Sequence, residues 1–287
     1  WPMIMIGSEP QGAPELDAAL AALQTGTVSM RLAKNNCDVH AAQALRYKVF
    51  YDEMSAQPSH EVARLRLDFD VFDEICDHLL VTDSSLGEGE ESVIATYRLL
   101  RGRVAKSFGR FYTSSEYDIT KLKNLPGETL ELGRSCVDAR RRNKPTMQIL
   151  WRGIAAYVFH HNISVMFGCA SLPGISPENL SLPLSYLYHN HLAPLELRVK
   201  ALPELYVDMR FKENHEIDRK KALTSLPPLI KGYLRLGGFI GDGAVVDEQF
   251  NTTDVCVIVK TDLVTDKYFK HYSRVAAGEN NAPNRVT

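Results

Sequence analysis

Two groups of residues in this sequence have types and spacings that invite chemistry. The first is the run Asp68-Phe69-Asp70-Val71-Phe72-Asp73-Glu74 with Asp77, five carboxylates without one Lys or Arg. Like charges this close are costly unless water solvates them or a cation matches them. A solvated loop and a cationic partner both meet that condition. The second is Glu131 with Arg134, in the alternating stretch TLELGRSCVD of residues 129–138. A glutamate inside an otherwise apolar strand is unexpected on burial grounds. It is either one half of a structural ion pair with Arg134 or a base with a raised pKa. Three apart on a strand, the two side chains project to opposite faces unless a bulge intervenes.

Two basic patches accompany them: Arg98, Arg101, Arg103, Lys106 and Arg110, then Arg140, Arg141, Arg142, Lys144 and Arg152. The second precedes a helix expected to start near Pro145, where unpaired N–H groups and the helix dipole favour an anion. Its natural guest is a phosphate, or an acidic protein carrying one. Other chemistries fail on their motifs. There is no GxSxG elbow and no P-loop. His60-Glu61 and His215-Glu216 open like zinc-protease helices, but Arg64 and Arg219 hold the closing position. His189 and His191 read as polar residues of a helix end, the acidic run lacks the Gly and distal Glu of a calcium loop, and no metal site is expected. Gly237, Gly238, Gly241 and Gly243 lack the spacing of a dinucleotide fold. No Ser or Cys stands with a His in a nucleophile pattern.

The elements that must position these residues follow from periodicity. A short strand at residues 29–32 precedes a helix capped by Asp38, with Ala42, Leu45 and Val49 on one face and Arg46 and Phe50 as a second stripe. Residues 76–83 and 92–100 read as a hairpin around a polar turn, and residues 129–138 as a strand. A helix from about Pro145, a buried strand at 163–170, a helix at 177–190, a strand near Leu197, a helix at 228–236 and apolar runs at 239–246 and 254–259 follow. The alternation predicts one mixed α/β sheet in a single domain over residues 29–275, with a core to 200 and an extension from 201. Residues 1–28 are expected to be a leader with one short helix and a mobile first part, and 276–287 a flexible tail. The chain opens on Trp1 rather than Met, so part of a native N-terminus is read as missing.

Composition sets the remaining limits. The 287 residues are 45% hydrophobic and 24% charged, with a formal net charge of -2. That gives no global attraction to nucleic acid. Cys37, Cys76, Cys136, Cys169 and Cys256 are odd in number, dispersed and free of CxxC pairs, which fits a reducing cytoplasm. No stretch approaches the roughly 20 apolar residues of a membrane span, although contact with a membrane surface stays open.

In order and spacing, Arg46-x-x-Val49-Phe50, Asp68-x-Asp70-x-x-Asp73, Arg98 and Glu131-Leu132-Gly133-Arg134-x-x-Val137 resemble the signature of acyl-homoserine lactone synthases and their relatives. Those are acyltransferases of the GNAT fold that draw acyl chains from acyl carrier protein. The fuller wording FDEICDHL (72–79), ELGRSCV (131–137), FGCASLPG (167–174) and LPPLIKGY (226–233) resembles most closely the bacterial ornithine N-acyltransferase branch, sometimes labelled hemolysin-like. The match runs from about Arg31 to Tyr272.

The resemblance implies a GNAT-like mixed sheet flanked by helices, with a C-terminal extension. It implies transfer of a 3-hydroxyacyl chain from the phosphopantetheine of acyl carrier protein to the α-amine of L-ornithine, giving lyso-ornithine lipid by direct attack, with no bound cofactor. Glu131 is then the proton acceptor and Arg134 its ion-pair organiser. Asp68, Asp70 and Asp73 hold the ammonium end and Arg46 the carboxylate, with Phe50 and Arg98 beside them. Arg140, Arg141, Arg142 and Lys144 receive the carrier protein. They stand where the wider superfamily has its glycine-rich pyrophosphate loop, and without those glycines the backbone closes less tightly on a CoA pyrophosphate. Backbone N–H near the end of the Glu131 strand is the expected oxyanion donor. Residues 165–167 and Leu172 with the helix around 151–159 are expected to line an acyl tunnel, and Cys136 and Cys169 to be core. A cytoplasmic protein touching the inner membrane is implied. Two rivals remain: a lactone synthase or a synthase for another amino acid, which the length beyond Pro203 disfavours, and a non-enzymatic membrane-active protein, for which no amphipathic segment stands out.

Overall fold

The structure, a computed structural model, describes residues 13–264. In chain order its helices and strands are α1 (Ala13–Ala21), β1 (Val28–Leu32), α2 (Asn36–Tyr47), α3 (His60–Leu65), β2 (Asp77–Asp83), β3 (Val93–Arg101), α4 (Gly102–Phe108), β4 (Tyr117–Asp118), α5 (Thr120–Lys123), β5 (Glu128–Val137), α6 (Lys144–His160), β6 (Ile163–Pro173), α7 (Ser181–His191), β7 (Lys200–Ala201), α8 (Arg219–Ser225), α9 (Pro228–Arg235), β8 (Phe239–Ile240), β9 (Val245–Asp247) and β10 (Thr252–Lys260). The main sheet has the order β1-β2-β3-β5-β6-β10-β8, with β9 also on β10; only β5 and β6 run parallel. A parallel pair needs a crossover, and α6 supplies it.

Alternation along the strands gives the sheet two covered faces. Leu130 and Leu132 of β5 and Met166 of β6 join α1, α6 and α9 in the larger core, through Leu16, Leu20, Ile154, Tyr157, Ile230 and Tyr233. On the other face Leu100, Val165, Phe167 and Ile258 pack on Phe111, Tyr117 and Leu197, and α2 closes the sheet's far end over Leu80, Val93 and Cys136. Helix α6 starts where expected because Asn143 caps it, accepting from Thr146 N at 3.0 Å, with Pro145 in the first turn.

Two local expectations are corrected, and two elements are added to the reading. The cap of α2 is Asn35, which accepts from Asp38 N, while Asp38 instead grips Arg31 at 2.6 Å. Leu197 lies in a turn and the short strand follows at β7. The basic stretch after β3 begins as α4. The leader's helix is a core element, with Leu16, Leu20 and Leu23 buried. Residues 1–12 and 265–287 lie outside the described residues, and with them the mobile start, the end of the extension and the tail. Among the described residues no helix is long and apolar enough to cross a membrane.

Candidate active site

The site begins with a bulge. Thr96 of β3 faces Cys136 and Arg98 faces Gly133, so Arg134 and Ser135 together oppose Tyr97. Arg134 takes up the extra residue in a left-handed conformation, φ 49°. The bulge returns Arg134 to the face that Glu131 occupies, and both meet Tyr112: its N–H donates to Glu131 Oε2 at 3.0 Å, and its ring centroid lies 4.9 Å from the Arg134 guanidinium.

Glu131 is 5% exposed. It accepts from Tyr112 N and, at 2.6 Å, from Thr113 N. Burial pushes its carboxyl upward and these N–H donors restrain the shift. The expected ion pair with Arg134 is not formed, because the bulge aims Arg134 at Asp68 (3.3 Å) and Asp70 (3.2 Å). Phe250 covers that guanidinium at 4.6 Å and packs edge-on against Phe50.

Asp68, Asp70 and Asp73 are brought together, and each meets an arginine. Arg46 binds Asp73 through both terminal nitrogens at 2.9 and 2.8 Å and Asp68 through Nε at 2.8 Å. Arg98 reaches Asp70 at 2.6 Å and Asp73 at 3.2 Å. Three carboxylates and three guanidiniums cancel, and the solvated-loop alternative is excluded by the burial of Asp68 and Asp73 at 2% and 5%. Although burial alone would raise Asp73, Arg46 overrides it and holds the carboxyl well below its ordinary range. Arg46 has no exposed surface. Its guanidinium is engaged inside the protein by Asp73 and Asp68 and offers no surface to a substrate carboxylate in this arrangement.

Beside Glu131 the sheet parts. The β5–β6 ladder ends at the pair Glu131–Phe167, while β5 stays paired with β3 and β6 with β10 beyond that point. A Cβ on Gly168 would stand 2.1 Å from the Leu132 carbonyl oxygen, so glycine is what lets the strands approach before they diverge. The narrow cleft so formed, about 10 Å³, is lined by Tyr97, Leu132, Met166, Phe167, Cys169 and Tyr233. Met166 also lines a larger, mostly apolar groove of about 770 Å³ under α1, α6 and α9, with Leu16, Met147, Trp151, Val158 and Leu236. Of the expected tunnel residues, the α6 segment and Met166 line this groove, Phe167 borders the cleft while packing in the opposite core, Val165 faces that opposite core and Leu172 is in the larger core. Cys136 is core, but Cys169 borders the cleft, 3.9 Å from Thr113 Oγ1.

Residues 45–152 match the family model described as an acetyltransferase (GNAT) domain. Over 256 residues the chain is 48% identical to the L-ornithine N(alpha)-acyltransferase of Rhizobium meliloti (strain 1021), covering 88% of this chain and 86% of that one. The chain belongs to the ornithine N-acyltransferase family. A second member, from Agrobacterium fabrum (strain C58), is 47% identical over 250 residues, covering 86% of this chain and 85% of its own. The fold is thus the GNAT acyltransferase fold and the protein an acyltransferase. Among solved structures, the AHL synthase LasI aligns at 10% identity with a TM-score of 0.46, over 91% of this chain and all of its own.

The basic loop of this family member is partly neutralised. Arg140 pairs with Asp138 at 3.0 Å, Arg141 with Asp83 at 2.9 Å and Arg142 with Glu53. Lys144 is exposed, and with Arg152 and Arg235 it lines the apolar groove. Arg152 Nε is buried without a partner.

A second acidic group escaped sequence reading. Glu116, Asp247 and Asp254 bring carboxylate oxygens within 4.8 Å of one another. Glu116 and Asp254 are 7% and 5% exposed. None of the three forms an ion pair among the described residues. Asp254, a charge within a β-rich run, was the one available signal.

Proposed function

We propose that this protein transfers a 3-hydroxyacyl chain from the phosphopantetheine of acyl carrier protein to the α-amine of L-ornithine, releasing lyso-ornithine lipid. The observation that carries the reading is the parting of β5 and β6 between an apolar groove on one face of the sheet and the Glu131 carboxylate on the other. An acyl chain lies in the groove, whose size suits a lipid-like ligand, and the thioester occupies the cleft. The four relatives named L-ornithine N(alpha)-acyltransferase, at 42–48% identity, support the acceptor.

Glu131 takes the proton of the α-ammonium, directly or through one water; its raised proton affinity narrows the gap to the amine. The neutral nitrogen attacks the thioester carbon, the oxyanion is met by backbone N–H on the edge that β5 loses from β6, and as the C–S bond breaks the proton that the nitrogen sheds on becoming an amide passes to the departing sulfur, releasing the phosphopantetheine thiol. No covalent enzyme intermediate is required. Arg46, Arg98 and Arg134 with Asp68, Asp70 and Asp73 form the fixed wall of the acceptor chamber. Lys144, Arg152 and Arg235 receive the phosphate of the donor, with exposed Arg140 beside the acidic carrier protein. Reaction takes place in the cytoplasm at the inner-membrane surface, which receives the amphiphilic product.

Mass spectrometry of the organic extract after incubation with 3-hydroxyacyl carrier protein, an equimolar amino-acid mixture and S-adenosylmethionine tests this. An acylornithine mass is expected. A different acyl-amine overturns the acceptor, and no product with a competent carrier protein overturns the reaction.

A further inference from the structure

Ornithine carries two amines, and an Nα-acyltransferase must deprotonate one while leaving the other unreactive. The neutral Asp68–Asp70–Asp73 network offers no charge for the second amine. The Glu116–Asp247–Asp254 group does: three carboxylates face one another without an ion-pair partner among the described residues, the Arg134 charge reaching Glu116 and Asp254 only at longer range, in a part of the protein that is largely buried. Two of them have hydrogen bonds that hold one oxygen each, Asp247 Oδ1 from Phe250 N at 3.0 Å and Asp254 Oδ1 from Thr252 Oγ1 at 2.9 Å. Glu116 has a terminal oxygen, Oε2, that is buried and unpartnered. A buried carboxylate oxygen left unmatched is costly, and burial with the Asp254 charge accordingly pushes the Glu116 carboxyl well above its ordinary range. A bound cation would remove that cost.

The group also lies close to the reaction centre. Thr113 donates its N–H to Glu131 and brings Oγ1 to 3.9 Å from Cys169 Sγ, in the same short segment that carries Glu116. Asp254 pairs with Ser171, two residues along β6 from Cys169. Phe250, whose N–H Asp247 holds, covers Arg134. Asp247 is the half-buried member of the three.

We propose that Glu116, Asp247 and Asp254 bind the side-chain ammonium of the diamino-acid acceptor, keeping it protonated and non-nucleophilic while the α-amine faces Glu131. This rests on the acceptor reading above. The pocket would then set both the preference for a cationic side chain and the choice between the two nitrogens.

The test compares L-ornithine with L-norvaline, which has the same carbon skeleton without the terminal amine, in the full chain and in Glu116→Gln and Asp247→Asn. With one charge partner removed, the ornithine-to-norvaline ratio of kcat/KM is expected to fall roughly 10- to 100-fold, with Nδ-acylornithine appearing beside the Nα product in fragment-ion spectra. L-Ornithine should raise the melting temperature of the unmutated protein and do so less in either variant. Glu116→Gln is close in shape to the carboxyl, which burial already biases toward its neutral form, and should fold; Asp247→Asn, at the half-buried position, provides the same readouts independently. An unchanged selectivity ratio and regiochemistry in both folded variants would overturn the proposal while leaving the function intact. So would thermal stabilisation by Mg²⁺ or Zn²⁺ alone that both variants abolish and ornithine does not reproduce. Absence of acylornithine from the unmutated protein would instead overturn the function.

Discussion

Replacing Arg46 by Met separates the two roles an arginine could have in this site. Arg46 is fully buried, and it is the main partner of Asp73 and Asp68, themselves 5% and 2% exposed. Arg98 and Arg134 would remain near the two aspartates at 3.2 and 3.3 Å, each already shared with Asp70. Breaking a buried pair from one side costs about 3–5 kcal/mol, because the carboxylate left behind is uncompensated. A melting temperature lower by on the order of 10 °C should follow. The pH dependence gives the reasoning a sign. In the unmutated protein Asp73 is held below its ordinary pKa, so its stabilisation is complete above about 3.9 and is lost as pH falls further. In Arg46→Met, burial prevails and raises the Asp73 pKa above the unfolded value, so that protein gains stability as pH falls. The deficit measured by urea unfolding should shrink from pH 7 to pH 4.5, and Asp73→Asn added to Arg46→Met should recover part of it. A deficit under about 1 kcal/mol together with a raised KM for ornithine would refute this account and make Arg46 a substrate ligand.

Three other substitutions probe the remaining parts. Glu131→Gln should lower turnover about 100-fold or more and lower stability by about 1–3 kcal/mol, since its amide NH2 must face one of the two backbone N–H donors; turnover like that of the unmutated protein removes Glu131 as the base. Gly168→Ala sets a methyl against the Leu132 carbonyl, and the displacement needed should cost about 1–3 kcal/mol and reduce kcat; a fully stable, active variant would mean that β5 and β6 need not approach there. Lys144→Glu should lower kcat/KM for acyl carrier protein, weaken its dependence on ionic strength and leave the KM of ornithine unchanged; a changed ornithine KM with unaltered carrier-protein kinetics would place Lys144 outside the donor site.

What could be seen in the sequence was what periodicity and local signals encode. The hairpin of β2 and β3, helix α6 after Asn143-Lys144-Pro145 and the stripe that puts Arg46 beside Leu45 and Val49 all emerge from spacing and turn chemistry. The bulge does not. Arg134 has no residue-type preference for positive φ, so nothing marked the position at which the alternation of β5 slips and turns Arg134 from Glu131 to Asp68 and Asp70. Pairing across the sheet was hidden for the same reason: the aspartates are contiguous, but their partners come from α2, β3 and β5.

The difference between the two acidic groups follows from how each is assembled. Asp68, Asp70 and Asp73 sit in one segment, and three arginines from three elements converge on it, leaving zero net charge and each carboxylate in contact with at least one guanidinium. Such an assembly is rigid because any motion would strand a buried charge. Glu116, Asp247 and Asp254 come from separate parts of the chain, and no side-chain cation among the described residues pairs with them. Burial pushes the Glu116 and Asp254 carboxyls upward, so that the unliganded protein relieves their apposition by holding protons. A cationic acceptor amine bound there, as proposed above, would take the place of those protons and convert the repulsion of the carboxylates into binding beside the Glu131 segment.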